Sequence, residues 1–237
     1  MARPRTPLLS RDGIVAAALA LVDAEGLEAL STRRLAAELG VSGPSLYNHV
    51  ATKDELIDAV VDCVVAGVDV SAFGGLGLVL GAGGGSGAAG MTESGATWRD
   101  ALASWARSYR EVLAAHPNVV PALARGSGRR PAQLHIADAV FGGLVDAGWP
   151  RREATSIGAL MRSLVIGSAL GSFAASFPAD ASVYAGVYPH LDQAHLLAEH
   201  QREIDDRAFE VGLSAVLDGL EMRLAALRTD TSGSPRA

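Results

Sequence analysis

The sequence predicts an all-α protein with a small N-terminal helical domain and a larger second helical domain. Three observations favour this fold class. Apolar residues recur at helical spacing along most of the 237 residues, helix-capping residues precede these stretches, and no alternating segments typical of a β-hairpin occur. Hydrophobic residues make up 49% of the chain, which is enough to bury a core.

Residues 1–69 are predicted to hold four short helices, of which the first three form the small domain. Each follows a serine or threonine whose side-chain oxygen can accept a hydrogen bond from the first turn. Glu55 lies three residues after the last of these caps and is expected to complete a capping box. A glycine ends each of the first two helices, because glycine adopts left-handed backbone without strain. The predicted caps are Ser10, Ser31, Ser42 and Thr52, and the predicted stops are Gly26 and Gly40.

Residues 70–96 are predicted to form a flexible glycine-rich linker. Nine of the 27 glycines lie within residues 74–90, and glycine-rich chains behave as random coils. The pattern GxGxxG at residues 85–90 does not indicate a dinucleotide site, because no βαβ unit is predicted around it. No cofactor is therefore expected.

Helical patterns resume at Thr97 and define a second domain, residues 97–228, with a tail, residues 229–237, that is expected to be disordered. Pro117 and Gly148 each interrupt the pattern. The predicted helices span residues 97–115, 118–125, 131–147, 150–177, 191–202 and 205–228.

The second and third helices carry the first functional signal. Gly40-Val41-Ser42 joins them, and two short helices joined by a glycine-containing turn match the helix-turn-helix unit, here about residues 31–50. The second helix of such a unit enters the major groove of double-stranded DNA. The spacing alone is equally consistent with a helical bundle that does not bind DNA. The candidate DNA-binding residues are Thr32, Arg33, Ser42, Gly43, Pro44, Ser45, Tyr47, Asn48, His49 and Lys53.

Charge limits the kind of nucleic-acid binding that is expected. The formal net charge is −6, which argues against a general nucleic-acid coat but permits a local DNA-binding surface. Residues 1–52 contain five arginines and five acidic residues. Few phosphate contacts per subunit are therefore expected.

A close resemblance to the DNA-binding domain of the TetR family of transcriptional regulators runs over residues 30–60, LSTRRLAAELGVSGPSLYNHVATKDELIDAV. Gly43 departs from the family pattern, which often has a longer polar residue at this position. The markers are Thr32-Arg33, Leu35-Ala36, Leu39-Gly40-Val41, Ser45-Leu46-Tyr47, His49 and Lys53-Asp54-Glu55-Leu56. The resemblance implies base contacts from Gly43, Pro44 and Ser45, backbone contacts from Tyr47, His49 and Lys53, and an approach to DNA by Thr32 and Arg33.

The second half is similar to the C-terminal domain of tetracycline-repressor-like members, through Trp98-Arg99, Tyr109-Arg110 and His116-Pro117. This similarity implies a larger helical domain for ligand binding and dimerisation, with an unknown small-molecule effector. Ordinary core packing is the alternative for most of the positions that it suggests. Arg162 lies in an apolar stretch and is expected to pair with an anionic or carbonyl-bearing ligand; the alternatives are a salt bridge within the protein or a place in a solvent-exposed turn. The lining candidates are Trp105, Tyr109, Leu123, Phe141, Thr155, Gly158 and Arg162.

No metal site is expected. The tetracycline repressor binds a drug-bound magnesium ion through a histidine and an acid, and the resemblance places Leu123 and Gly171 at those positions. Neither side chain can bind a metal, so tetracycline with magnesium is rejected as the effector. His190, His195 and His200 are five residues apart, which is not a zinc spacing on a helix.

The resemblance also implies a homodimer, since residues 209–224 are similar to the family's final dimerisation helix. The long helix and the final helix of each subunit are expected to form a four-helix interface. A two-fold dimer would read a palindromic operator. The apolar residues of the final helix that are expected there are Val211, Leu213, Val216, Leu217, Leu220 and Leu224.

Three interpretations remain at this point. The first is a ligand-responsive dimeric repressor, and the second is a DNA-binding activator or a regulator without a small ligand. The third is an enzyme or interaction module, which the intact helix-turn-helix markers and the lack of a defensible catalytic constellation disfavour. The sequence shows no apolar leader before Ser10 and no membrane-spanning stretch, and its single cysteine cannot form an internal disulfide, so a cytoplasmic protein is expected. That cysteine, Cys63, is expected to be a packed thiol.

Overall fold

The computed structural model describes residues 9–74, 97–126 and 130–232. Its regular elements in these ranges are α-helices and short 3₁₀ turns, so the predicted all-α fold class is confirmed. No helix in the described ranges is long and apolar enough to cross a membrane. The α-helices are α1 (Arg11–Glu25), α2 (Thr32–Glu38), α3 (Gly43–Tyr47), α4 (Lys53–Val65), α5 (Trp98–Ala115), α6 (Val120–Arg125), α7 (Pro131–Asp146), α8 (Arg151–Ala169) and α9 (Gln201–Ser232).

The predicted caps of the first four helices are confirmed. Each cap oxygen accepts a hydrogen bond from the backbone N–H three residues later, at 3.1 Å for Ser10, 3.1 Å for Ser31, 3.3 Å for Ser42 and 3.0 Å for Thr52. The Glu55 carboxylate accepts from the backbone N–H of Ala51, one residue before the expected Thr52. These bonds satisfy donors that the helix itself leaves unpaired.

Three predicted boundaries in the second half are wrong. Helix α8 ends at Ala169 and not at residue 177, because Gly171 is a poor helix former and the Ser172 hydroxyl accepts from Ala175 N to start a separate turn. Residues 194–200 form a 3₁₀ turn where an α-helix was predicted. The tail predicted to be disordered begins as helix, since α9 continues to Ser232, and residues 233–237 lie outside the described part.

The chain divides into two compact units whose bounds differ from the predicted domains. The first unit combines Met1–Val68 with Glu111–Ile136, and the second combines Asp69–Arg110 with Ala137–Ala237. Helix α6 and the start of α7 therefore belong with the N-terminal helices. Of the predicted linker, residues 71–73 form a 3₁₀ turn with Phe73 buried, and residues 75–96 lie outside the described part.

The core of the second unit includes one face of α9 and the aromatic residues of α5. The rings of Trp98 and Trp149 meet edge to face with centroids 5.3 Å apart. The four leucines that were expected at the dimer interface are instead buried within the subunit, because they form the inward stripe of α9. These are Leu213, Leu217, Leu220 and Leu224.

Two helical glycines of the second unit offer a matched test of packing. A Cβ on Gly158 would lie 2.2 Å from Phe141 Cε1, whereas a Cβ on Gly142 would meet no atom within 4 Å. We expect Gly158→Ala to lower the free energy of unfolding by about 1–3 kcal/mol through overpacking. Gly142→Ala should raise it by about 0.5–1 kcal/mol through helix propensity. Urea unfolding measures both, and a neutral Gly158→Ala variant would contradict the close packing of α7 on α8.

Candidate nucleic-acid interface

Helices α2 and α3 form the predicted helix-turn-helix. Gly40 adopts a φ of 65°, which reverses the chain after α2, and Val41 N donates to Ala36 O at 3.0 Å. Leu35 from α2 and Leu46 from α3 are fully buried. A short turn and buried leucines therefore fix the second helix beside the first.

A side-chain hydrogen bond joins the start of α2 to the end of α3. Thr32 Oγ1 and Tyr47 Oη lie 3.2 Å apart. The Tyr47 ring is nevertheless 54% exposed, so its hydroxyl also faces solvent. Two residues that the sequence placed at the DNA are thus brought together on one surface.

The first turn of α3 presents only small side chains. The hydroxyls of Ser42 and Ser45 are 2.7 Å apart, and Ser45 N also donates to Ser42 Oγ. Pro44 is exposed beside them. A Cβ added to Gly43 would meet no atom within 4 Å. The sequence-predicted base-reading residues are therefore adjacent, and none of them is long.

The cationic side chains at this surface differ in whether they form ion pairs within the protein. Arg34 is held by Glu25 through a 2.8 Å ion pair. Arg33 and Lys53 are exposed, and neither forms an ion pair within the part of the chain that the structure describes. Asn48 is exposed and His49 is half-buried. Arg33 and Lys53 are therefore available for phosphate oxygens.

Helix α4 positions Lys53 and is itself fixed by an ion pair that sequence analysis missed. Arg130 is 3% exposed, and its Nε and Nη2 donate to Asp58 Oδ1 at 3.0 and 2.7 Å. One turn further along α4, Asp62 accepts from the backbone N–H of Ala132 at the start of α7, at 2.9 Å. The i, i+4 spacing of Asp58 and Asp62 was the available sign that both acids share one face.

Helix α1 is held to the segment after α5 in the same unit. His116 Nδ1 lies 2.9 Å from Asp23 Oδ2, and Asn118 Nδ2 donates to Val22 O at 2.9 Å. Cys63 of α4 is exposed, which corrects the expectation of a packed thiol. Helix α1 is thus tied to the residues between α5 and α6.

The predicted effector residues form two contacting pairs in the second unit. Trp105 and Tyr109 are buried with ring centroids 5.8 Å apart, and Phe141 packs directly on Gly158. The Trp105 indole N–H is buried and has no hydrogen-bond partner in the described residues.

The other three predicted effector residues differ in their exposure. Thr155 is exposed and donates to Arg151 O at 3.1 Å. Arg162 is half-buried, and Leu123 is buried within the first unit. Within the described residues, no group of three or more His, Cys, Asp or Glu side chains could hold a metal ion.

Two family models match the chain. Residues 14–60 match the bacterial regulatory proteins of the tetR family. Residues 91–224, more than half of the chain, match the tetracyclin repressor-like C-terminal domain. The chain belongs to the TetR family of transcriptional regulators. The fold and the family predicted from sequence are therefore confirmed.

Individual relatives match most of the chain. An HTH-type transcriptional regulator of Saccharopolyspora erythraea is 32% identical over 83% of this chain and 70% of its own length. The class A tetracycline repressor from transposon 1721 of Escherichia coli is 28% identical over 93% of this chain and 94% of its own length. The crystal structure of Streptomyces coelicolor ActR in complex with actinorhodin is 29% identical, covers 91% of this chain and 98% of that chain, and superposes with a TM-score of 0.67.

The ion pair under α4 gives an asymmetric stability prediction. Asp58→Ala would leave the buried Arg130 cation uncompensated and should lower the free energy of unfolding by about 3–5 kcal/mol. Arg130→Met should lower the free energy of unfolding by less, because the Asp58 side chain is 36% exposed and can be solvated. The double variant should recover part of the Asp58→Ala loss. Urea unfolding of all three tests this, and an equal or larger loss for Arg130→Met would contradict it.

Proposed function

We propose that this TetR-family protein is a ligand-responsive transcriptional repressor that binds a palindromic DNA operator as a homodimer and releases it when a small molecule binds. The observation that carries the proposal is the surface of α2, α3 and the start of α4. It presents exposed Arg33 and Lys53 without ion-pair partners in the described residues, on a chain of net charge −6. Such a local cationic surface fits phosphate binding in an otherwise acidic protein.

Relatives support a repressor rather than an activator. The tetracycline repressors that resemble this chain over nine-tenths of its length are named for repression. We place the protein in the cytoplasm, with its operator, and assign it no enzymatic activity and no cofactor.

The effector is proposed to bind in the second helical domain. ActR, which is similar over most of this chain, binds actinorhodin. Within this chain, the buried and unpaired indole N–H of Trp105 supports a ligand that accepts a hydrogen bond there, since buried donors rarely stay unpaired. Tyr109, Leu123, Phe141, Thr155, Gly158 and Arg162 stay as lining proposals.

The proposed release of DNA follows from thermodynamic linkage between binding of the operator and binding of the small molecule. A ligand that prefers a conformation with poorly placed recognition helices weakens operator binding by the same factor by which the operator weakens ligand binding. The proposed relay in the first unit is α4, since Lys53 begins it while Asp58 and Asp62 contact Arg130 and Ala132. A displacement of α7 would therefore be transmitted to α4.

The proposed dimer surface is the outward side of α8 and α9. These two helices pack together through Arg223 and Glu153, which are 2.7 Å apart. Their outer sides expose Leu160 at 47%, Val211 at 63% and Met222 at 76%. Apolar side chains this exposed are typical of a surface that a partner covers.

Charge placed on this surface should separate the subunits. We expect Val211→Glu and Met222→Glu to halve the mass in solution and to weaken operator binding at least about tenfold, since an unpaired buried carboxylate is costly. Leu134→Glu is the matched control, because Leu134 is similarly exposed at 58% but lies on α7. Light scattering gives the mass and gel shift the affinity. A dimeric Val211→Glu, Met222→Glu double variant would overturn the assignment of this surface.

The DNA-binding proposal can be tested by measuring how operator affinity depends on salt concentration in variants of two neighbouring arginines. An operator is first selected from genomic fragments with the wild-type protein. In a dimer, Arg33→Met removes two phosphate contacts and should make the plot of log affinity against log salt shallower by about 2. Arg34→Met should leave the slope unchanged, because Arg34 is held by Glu25. Equal slopes for wild type and Arg33→Met, or failure to select any operator, would count against the proposal.

A further inference from the structure

The first turn of α3 contains one position from which no side chain projects. A Cβ built on Gly43 meets no atom within 4 Å, so the space beside it is open. Its φ is not in the left-handed region, since the positive-φ glycines of the described chain are Gly26, Gly40, Gly126, Gly148 and Gly186. The backbone conformation therefore does not require glycine at position 43, and packing does not require it either.

The residues next to Gly43 do not provide a long polar side chain in its place. The Ser42 and Ser45 hydroxyls are 2.7 Å apart, and Ser42 Oγ also accepts from Ser45 N. These two short side chains are thus hydrogen-bonded to each other. Pro44 carries neither a backbone N–H nor a polar side-chain group. The first turn consequently lacks the long amide or guanidinium that makes two hydrogen bonds to one base.

We infer that Gly43 leaves one base pair of each operator half-site unread, so that the operator is degenerate at that pair. This inference rests on the proposed function, with α3 as the helix that enters the major groove. The ligand is duplex DNA with a palindrome whose two half-sites share the same unspecified pair. Position 43 is then a specificity-determining position that is vacant in this chain.

A vacant position can be filled, and glutamine suits this purpose. A glutamine side chain can make a bidentate contact with adenine N6 and N7, and such a pair discriminates against other bases about fivefold to more than a hundredfold. Since a Cβ at position 43 meets no atom within 4 Å, the glutamine side chain of Gly43→Gln can leave the backbone without displacing a neighbour. The variant should therefore gain a base preference without losing the existing ones.

The experiment selects binding sites from a duplex library with randomised palindromic half-sites, for the full-length wild type and three variants. Wild type should show one half-site pair with near-equal base frequencies. Gly43→Gln should show adenine at that same pair, enriched at least about fivefold, with the other pairs unchanged. Gly43→Ala should show no adenine preference at that pair, because it adds helix propensity but no hydrogen-bonding group.

Gly142→Gln controls for adding the same side chain elsewhere, since Gly142 is equally open but lies on α7. It should keep the wild-type profile. The inference is overturned if wild type specifies every pair of the half-site, if Gly43→Gln and Gly43→Ala give the same profile, or if the glutamine alters a pair that wild type already specifies. Failure of all four proteins to enrich any shared site would instead overturn the proposed DNA binding itself.

Discussion

The buried ion pair between Arg130 and Asp58 is the constraint on which the DNA-facing half of the molecule depends. A guanidinium that is 3% exposed is stable only beside a carboxylate, so α4 is held where Asp58 can reach it. The start of α4 carries the Thr52 cap and Lys53, and it follows α3 after only a few residues. The place of the recognition helix is thus set partly by a residue far away in sequence.

Local features of the fold could be predicted because their causes are local. The four caps each act over three residues, from Ser10 to Gly13 for example, and a cap depends on little beyond its own turn. Glycine stops such as Gly26 and Gly40 follow from backbone freedom at one residue. The helix-turn-helix was recognisable for the same reason, since its turn and its buried leucines lie within a short stretch.

Features that depend on distant neighbours could not be predicted in this way. Leu217 and Val211 are both apolar residues of α9, yet one is buried and the other is exposed, because packing in the subunit decides which stripe faces inward. Arg130 gave no sign of burial, since its partner Asp58 lies 72 residues away. Cys63 is exposed for the related reason that α4 packs along its other side. Periodicity shows that a face exists but not what covers it.

Net charge is a poor guide to DNA binding in this chain, because several of its cations form ion pairs with acids of the same chain. Arg107 and Arg110 of α5 form ion pairs with Glu210 and Asp206 of α9, each at 2.7 Å, so they are not available to phosphates. On the surface of α2, α3 and the start of α4, Arg33 and Lys53 form no ion pair among the described residues and are the proposed phosphate contacts. With so few phosphate contacts, each contact is a large share of the electrostatic affinity. A small displacement of α4 that removes the Lys53 contact would then change operator occupancy substantially, which is the sensitivity that a ligand-controlled repressor needs.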